Sequence, residues 1–326
     1  MRTLRVQAAQ VAFCLALLCL QKSIGQEPAD SKPTPTGDPL SEARGLMNSG
    51  ELGQSEASLQ TYLRGHSNSA EAHFLLGYVL FREKKPKESL AEFTAGAAVK
   101  RPDAIELKTV AADYVLLGDF SDADHWYSEV TSEKPDDVDA WYLLGRTKYN
   151  EGHYDEGVKS FERALALRPK YVEAENNLGL CWHELNQLDK AKAAYQTAID
   201  WQGSPPTDAQ PYLNMGSLLA DQGDFEGALA NLSKAVALSP ENPKIHEELG
   251  SVYASQDALP KAQAALERAA ILAPNSSGIH FKLANVYRKE GKREEAKREF
   301  ELCAKLNSTH SSSDTPNPYL PDASKK

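Results

Sequence analysis

Cysteine is scarce in this chain: four in 326 residues, and two of them, Cys14 and Cys19, fall within the first twenty. The remaining pair, Cys181 and Cys303, cannot supply the disulfide framework that staples small exported domains. Basic charge is scarce as well. With 36 Lys and Arg against 46 Asp and Glu the formal charge is −10, and phosphate-backbone binding requires a basic stripe. Nucleic acid is therefore excluded as the expected partner. Long apolar runs are missing except for Val11 to Leu20, too short for a membrane span of about 20 residues.

Catalytic signatures are missing too. There is no G-x-S-x-G, no Gly-Lys-Ser/Thr phosphate loop, no G-x-G-x-x-G and no H-E-x-x-H. Of the eight histidines, His125, His153 and His183 fall on different predicted helices without the i, i+4 spacing that lets two imidazoles share a metal. The expectation is a non-enzyme with no metal and no cofactor.

The first 26 residues have the form of a secretory signal: Arg2 and Arg5, the apolar run to Leu20, then Ser23-x-Gly25 as a small-residue cleavage site. Cleavage is expected after Gly25, giving a secreted or periplasmic protein. Loss of Arg2, Arg5 and Lys22 takes the formal charge to −13. The acidity that remains is spread along the chain and reads as solubility of a long exposed surface.

What is abundant is a period. Gly77, Ala111, Gly145 and Gly179, then Gly216, Gly250 and Ala284, place a small residue every 34 positions, with one step of 37. A period in this range marks units too small to bury their own apolar face, which stack into a solenoid. Trp141, Leu144 and Leu283 flank the small residues. Ala191, Tyr195 and Ala198 recur at i, i+4 and i+7 on one helical face. Pro135, Pro169, Pro240 and Pro274 stand where the second helix must stop. Gly152, Gly223 and Gly291 mark tight turns between helices.

Trp141-x-x-Leu144-Gly145 with Phe161, Ala164 and Pro169, and His246-x-x-Leu249-Gly250-x-x-Tyr253 with Ala262, Leu266, Ala269 and Pro274, resemble the tetratricopeptide repeat. The resemblance implies an all-α, right-handed solenoid of helix-turn-helix repeats that binds proteins or peptides in a concave groove lined by first helices. Carried onto this chain, the groove slots are Phe74, Tyr78, Phe81 and Arg82, then Asp139, Tyr142, Arg146, Tyr149 and Asn150, then Asn176 and His183. His73, His246 and His280 take the first-helix slot usually held by an aromatic ring. The two-carboxylate clamp of some family members is not carried over, because Lys108 and Asn177 stand two repeats apart.

These readings divide the chain into a signal peptide 1–25, a disordered linker 26–39, a degenerate N-terminal repeat or cap 40–69, four repeats 70–203, a Pro-rich insertion 204–208, three repeats 209–310 and a disordered tail 311–326. In the N-terminal unit Leu46 is read at the place of the small residue. The insertion is expected to separate two blocks, one ending near Ile199 and one beginning near Asp208. The functional expectation is a non-catalytic adaptor exported from the cytoplasm. The alternatives are an assembly factor of the cell envelope, or an accessory subunit of a separately encoded enzyme.

Overall fold

The computed structural model describes residues 39–311. The signal peptide, nearly all of the linker and the tail beyond Ser311 lie outside the described residues. Those residues form sixteen helices and no strand. In chain order they are α1 Pro39–Ser49, α2 Leu52–Gly65, α3 Ala70–Arg82, α4 Pro86–Ala97, α5 Ala104–Leu117, α6 Phe120–Glu133, α7 Val138–Glu151, α8 Tyr154–Leu167 and α9 Val172–Glu184. Then follow α10 Leu188–Trp201, α11 Gln210–Asp221, α12 Phe225–Leu238, α13 Pro243–Ser255, α14 Leu259–Leu272, α15 Ser277–Lys289 and α16 Arg293–Ser311. Pro39, placed in the linker, opens α1, and α16 runs to Ser311.

The repeat geometry follows from a few recurring contacts. A Cβ built on Gly145 would sit 2.8 Å from the Phe161 ring, and Gly77, Gly216 and Gly250 meet Phe93, Leu232 and Leu266 in the same way. In each case the ring or leucine sixteen residues on occupies the space a side chain would need. The two helices therefore approach more closely than a larger residue would allow. Around these contacts Tyr127, Phe161, Tyr195, Leu232 and Leu266 are essentially inaccessible to solvent.

The aromatic slot has a second determinant besides packing. Trp141 Nε1 donates to the Pro135 carbonyl at 3.1 Å. His73, His246 and His280 place Nε2 2.8–3.0 Å from the carbonyls of Ser67, Pro240 and Pro274. All four rings reach the carbonyl six residues back, and because a carbonyl can only accept, the ring nitrogen facing it must carry the N–H. Histidine replaces tryptophan here because both carry that donor.

The N-terminal repeat requires a correction. The small residue is Ala43, 1% exposed, rather than Leu46. Ser55 Oγ donates to the Ala43 carbonyl at 2.8 Å, as Ser89 Oγ donates to Gly77 one repeat later. In the register set by Ala43, α1 and α2 form a regular hairpin with Leu59 in the ring slot.

The turn joining the two helices of each hairpin has one residue with positive φ. It is glycine at Gly50, Gly118, Gly152, Gly223 and Gly291, but Lys84, Asn186 and Asp257 elsewhere, at φ 61°, 58° and 57°. Left-handed backbone costs an ordinary residue about 1–2 kcal/mol, and glycine gives part of that back through the unfolded chain. Lys84→Gly is therefore expected to stabilise the protein by up to about 1 kcal/mol in denaturant unfolding.

The helices fall into two compact units, one ending at Gln187 and the other beginning at Leu188. The N-terminal unit contains α1 to α9 and the C-terminal unit α10 to α16. The division is not at the Pro-rich insertion, which lies inside the second unit. There Gln202 Oε1 accepts from the backbone N–H groups of Thr207 and Asp208 at 3.1 and 2.9 Å, and Asp208 Oδ1 accepts from the Gln210 N–H at the start of α11 at 2.8 Å. These bonds hold the inserted residues between α10 and α11 of the same unit.

Candidate functional site

In the N-terminal unit three successive first helices, α1, α3 and α5, line an apolar pocket of about 760 Å³. Phe74, Leu75 and Tyr78 come from α3, Met47 from α1, Ile105 and Thr109 from α5, and Val99 from the turn after α4. Phe74 is held against Phe93 with ring centroids 6.0 Å apart, and Gly96 of α4 leaves room for its ring. Val99 and Ile105 are 52% and 48% exposed. Large aliphatic side chains held that far into water favour a covering partner.

The rim is charged with both signs. Arg44 of α1 pairs with Glu71 of α3, Lys100 stands beside Val99, and Glu106 closes the first turn of α5. Glu106 completes a capping box with Asp103, and its carboxyl pKa is raised by burial. Burial likewise raises the Tyr78 hydroxyl. The arrangement supplies apolar contact area with polar edges and no nucleophile-base pair, which suits binding rather than bond-breaking.

Of the expected groove residues, Phe74 and Tyr78 line this pocket. Phe81 is half-buried beside Tyr78, with ring centroids 6.3 Å apart. Arg82 donates through Nη1 to the Met47 carbonyl at 2.8 Å, tying α3 to α1. The others lie farther along the unit and are mostly engaged with neighbouring repeats. Tyr142, Arg146 and Asn176 are 7%, 6% and 3% exposed. The Tyr142 ring packs between Phe161 and Tyr171 at 5.9 and 5.1 Å, and its hydroxyl accepts from Asn177 Nδ2 at 3.3 Å. The Arg146 guanidinium lies 5.8 Å from that ring.

Tyr149 donates to Glu184 at 3.5 Å and packs on Tyr154 at 5.4 Å, and Asp139 accepts from Arg168 at 3.2 Å. Asn150 and His183 are half-buried near the ends of α7 and α9. The expectation that Tyr142 and Arg146 form an open face is corrected: they are enclosed by the stack.

Arg44 and Met47 escaped sequence reasoning because of the register error in α1. Counted from Ala43 they occupy the slots of Tyr78 and Phe81, so the correct period would have found them. Ile105 stands one period after Glu71, where an aliphatic residue among polar ones was the available signal.

The histidine slot speaks against ligation of a metal. His73 and His280 present Nδ1 to Glu92 and Glu299 at 2.6 Å while Nε2 meets a carbonyl, so both ring nitrogens are engaged. Among the described residues no group of three or more His, Cys, Asp and Glu could hold a metal ion. Both Cys181 and Cys303 are free thiols. No described helix is long and apolar enough to cross a membrane.

Family models described as tetratricopeptide repeat match residues 40–105, 142–209 and 277–310, and one described as TPR repeat matches 216–257. Together they cover more than half of the chain. The chain belongs to the tetratricopeptide repeat family.

Among curated relatives, the human protein O-mannosyl-transferase TMTC1 is 25% identical over 203 residues, 60% of this chain and 23% of the relative. The Saccharomyces cerevisiae small glutamine-rich tetratricopeptide repeat-containing protein 2 is 25% identical over 250 residues, 73% of this chain and 64% of the relative. This tetratricopeptide chain thus spans about a quarter of the length of the O-mannosyl-transferase it matches. Among solved structures, a tetratricopeptide repeat protein from Parabacteroides merdae superposes with a TM-score of 0.65 at 20% identity, covering 76% of this chain and 97% of that one. A chain of the APC/C hetero-tetramer Cut9–Hcn1 gives 0.61 at 17% identity, covering 83% and 53%. These likenesses establish the all-α tetratricopeptide solenoid. Proteins of this family bind protein or peptide partners.

Proposed function

We propose that this tetratricopeptide protein is a non-catalytic adaptor, exported from the cytoplasm, that holds an extended segment of a partner protein along α1, α3 and α5. The observation that carries the reading is the pocket of about 760 Å³ with Val99 and Ile105 exposed at its mouth. A bulky apolar side chain of the partner enters against Phe74 and Tyr78, and the mixed charges of Arg44, Glu71, Lys100 and Glu106 meet the flanking polar groups. Export rests on the tripartite signal at residues 1–25. A second reading, an accessory part of an enzyme, is favoured by the human O-mannosyl-transferase, which carries the matching repeats within a chain several times longer than the match.

The test is a peptide library displayed against the purified mature protein. Peptides selected on the wild type are expected to carry large apolar anchors and to lose at least about tenfold in affinity for Ile105→Asp, roughly 1.4 kcal/mol. Because Ile105 is half in solvent, its far-UV circular dichroism and melting should stay close to wild type. Equal affinity of the variant for those peptides would place binding elsewhere.

A further inference from the structure

One position of the repeat, two residues after the small one, is buried in seven frames: Val79, Asp113, Thr147 and Cys181 in the N-terminal unit, Leu218, Val252 and Val286 in the C-terminal one; in the first repeat it is the exposed Gly45. Only Asp113 puts a carboxyl there, and it is fully shielded from solvent.

Its surroundings fix where a proton must be. Ser89 Oγ of α4 lies 2.8 Å from the Gly77 carbonyl oxygen of α3 and 2.5 Å from Asp113 Oδ2 of α5. A serine hydroxyl has one proton to donate. The equivalent Ser55 gives its proton to the Ala43 carbonyl at the same 2.8 Å, which shows where the hydroxyl points when no acid is engaged. If Ser89 does the same, the contact with Asp113 needs its proton from the carboxyl. Asp113 Oδ1 is buried and without a partner, a heavy cost for an ionised carboxylate and a smaller one for the carbonyl of a neutral acid.

We propose that Asp113 is a neutral carboxylic acid in the folded protein at neutral pH, and that its proton fastens the second repeat to the third. Asp113 Oδ2–H donates to Ser89 Oγ, whose own proton goes to the Gly77 carbonyl, so one relay joins α5, α4 and α3. The helices it joins include α3 and α5, which carry Phe74, Tyr78 and Ile105 of the pocket wall. The proposal stands whether or not that pocket holds a peptide.

The groups around the acid agree with this state. Burial raises the Asp113 pKa to about 8, against the Ser89 contact, which lowers it. The Tyr127 hydroxyl of α6 is also buried, which raises its pKa; Arg146 of α7 opposes that rise and Asp113 adds to it. Tyr114, on the same helix, is raised chiefly by burial, with Asp122, Asp119 and Asp113 adding to it. From α3 and α4 the facing groups in contact are the Gly77 carbonyl and the Ser89 hydroxyl.

The folded pKa lies above the unfolded value of 3.8. Between the two, the folded state binds a proton that the unfolded state has released. The contribution to stability is therefore complete below about pH 4, declines as pH rises, and is gone once pH passes the folded pKa near 8.

The test compares the wild type with Asp113→Asn, whose amide N–H replaces the carboxyl proton toward Ser89. From about pH 5 to 8 the wild-type unfolding constant is expected to rise about tenfold per pH unit relative to the variant, and to level off above. The infrared carbonyl band of a protonated carboxyl group should be present in wild type at pH 7, fade by pH 9.5 and be missing from the variant. A pH-independent ratio of unfolding constants, with no such band at pH 7, overturns the proposal. If Asp113→Asn does not fold, Asp113→Val, the residue found at Val79, Val252 and Val286, serves in its place, and the wild-type infrared titration is decisive by itself.

Discussion

Tyr142→Ala is expected to lose about 3–4 kcal/mol of folding stability, the scale of deleting a large buried ring. The ring is 7% exposed and packs against Phe161 of its own repeat and Tyr171 at the start of the next. Removal opens a cavity at a junction between repeats and strips Asn177 Nδ2 of a hydrogen-bond acceptor. A solenoid derives much of its stability from such nearest-neighbour junctions, so α8 and α9 should exchange amide hydrogens faster as well. Peptides selected on the α1–α3–α5 pocket should bind the remaining folded molecules with unchanged affinity. Normal denaturant stability combined with lost peptide binding would mean that Tyr142 belongs to an open groove after all.

Gly145→Leu should also be damaging, with an expected loss of about 1–3 kcal/mol or more from overpacking. Even the first added atom, Cβ, would meet the Phe161 ring at 2.8 Å, and that ring is wholly buried. Relief therefore requires α7 and α8 to move apart. Chemical denaturation measures the loss. Pairing the change with Phe161→Ala provides a control: the double variant should be more stable than the sum of the two single losses predicts, because the leucine enters the space the ring vacates. Strict additivity would show that the two positions are not in contact.

Most of the architecture was legible because the chain states it repeatedly. A helix boundary that is ambiguous once becomes firm when Pro, Gly and a small residue return at the same offsets. Where repetition is thin the sequence leaves the register open. In α1 the small residue is an alanine, Gly45 close by offers a false anchor, and the slot sixteen residues on holds Leu59 rather than a ring, so the register that would reveal Arg44 and Met47 is not legible there. The groove was legible in part. Phe74 and Tyr78 reach the pocket, but one repeat supplies only a helical face and does not show how deeply the next repeat will cover it. Tyr142 lies on the expected face and is enclosed by Phe161 and Tyr171, 19 and 29 positions away, and Arg146 beside it is equally buried. The relay through Asp113 was hidden for the same reason, since Ser89 and Gly77 come from the preceding repeat.

The eight hairpin turns show what duplication transmits. At equivalent positions the chain keeps a left-handed backbone within φ 57° to 85°, while the residue there has become Lys84, Asn186 or Asp257 in three of the eight. The repeated property is thus a dihedral angle at the turn after each first helix, and the residue there varies within the cost a single turn can bear. Each turn closes only its own hairpin, so each departure is a local burden that descendants can acquire or repair one repeat at a time.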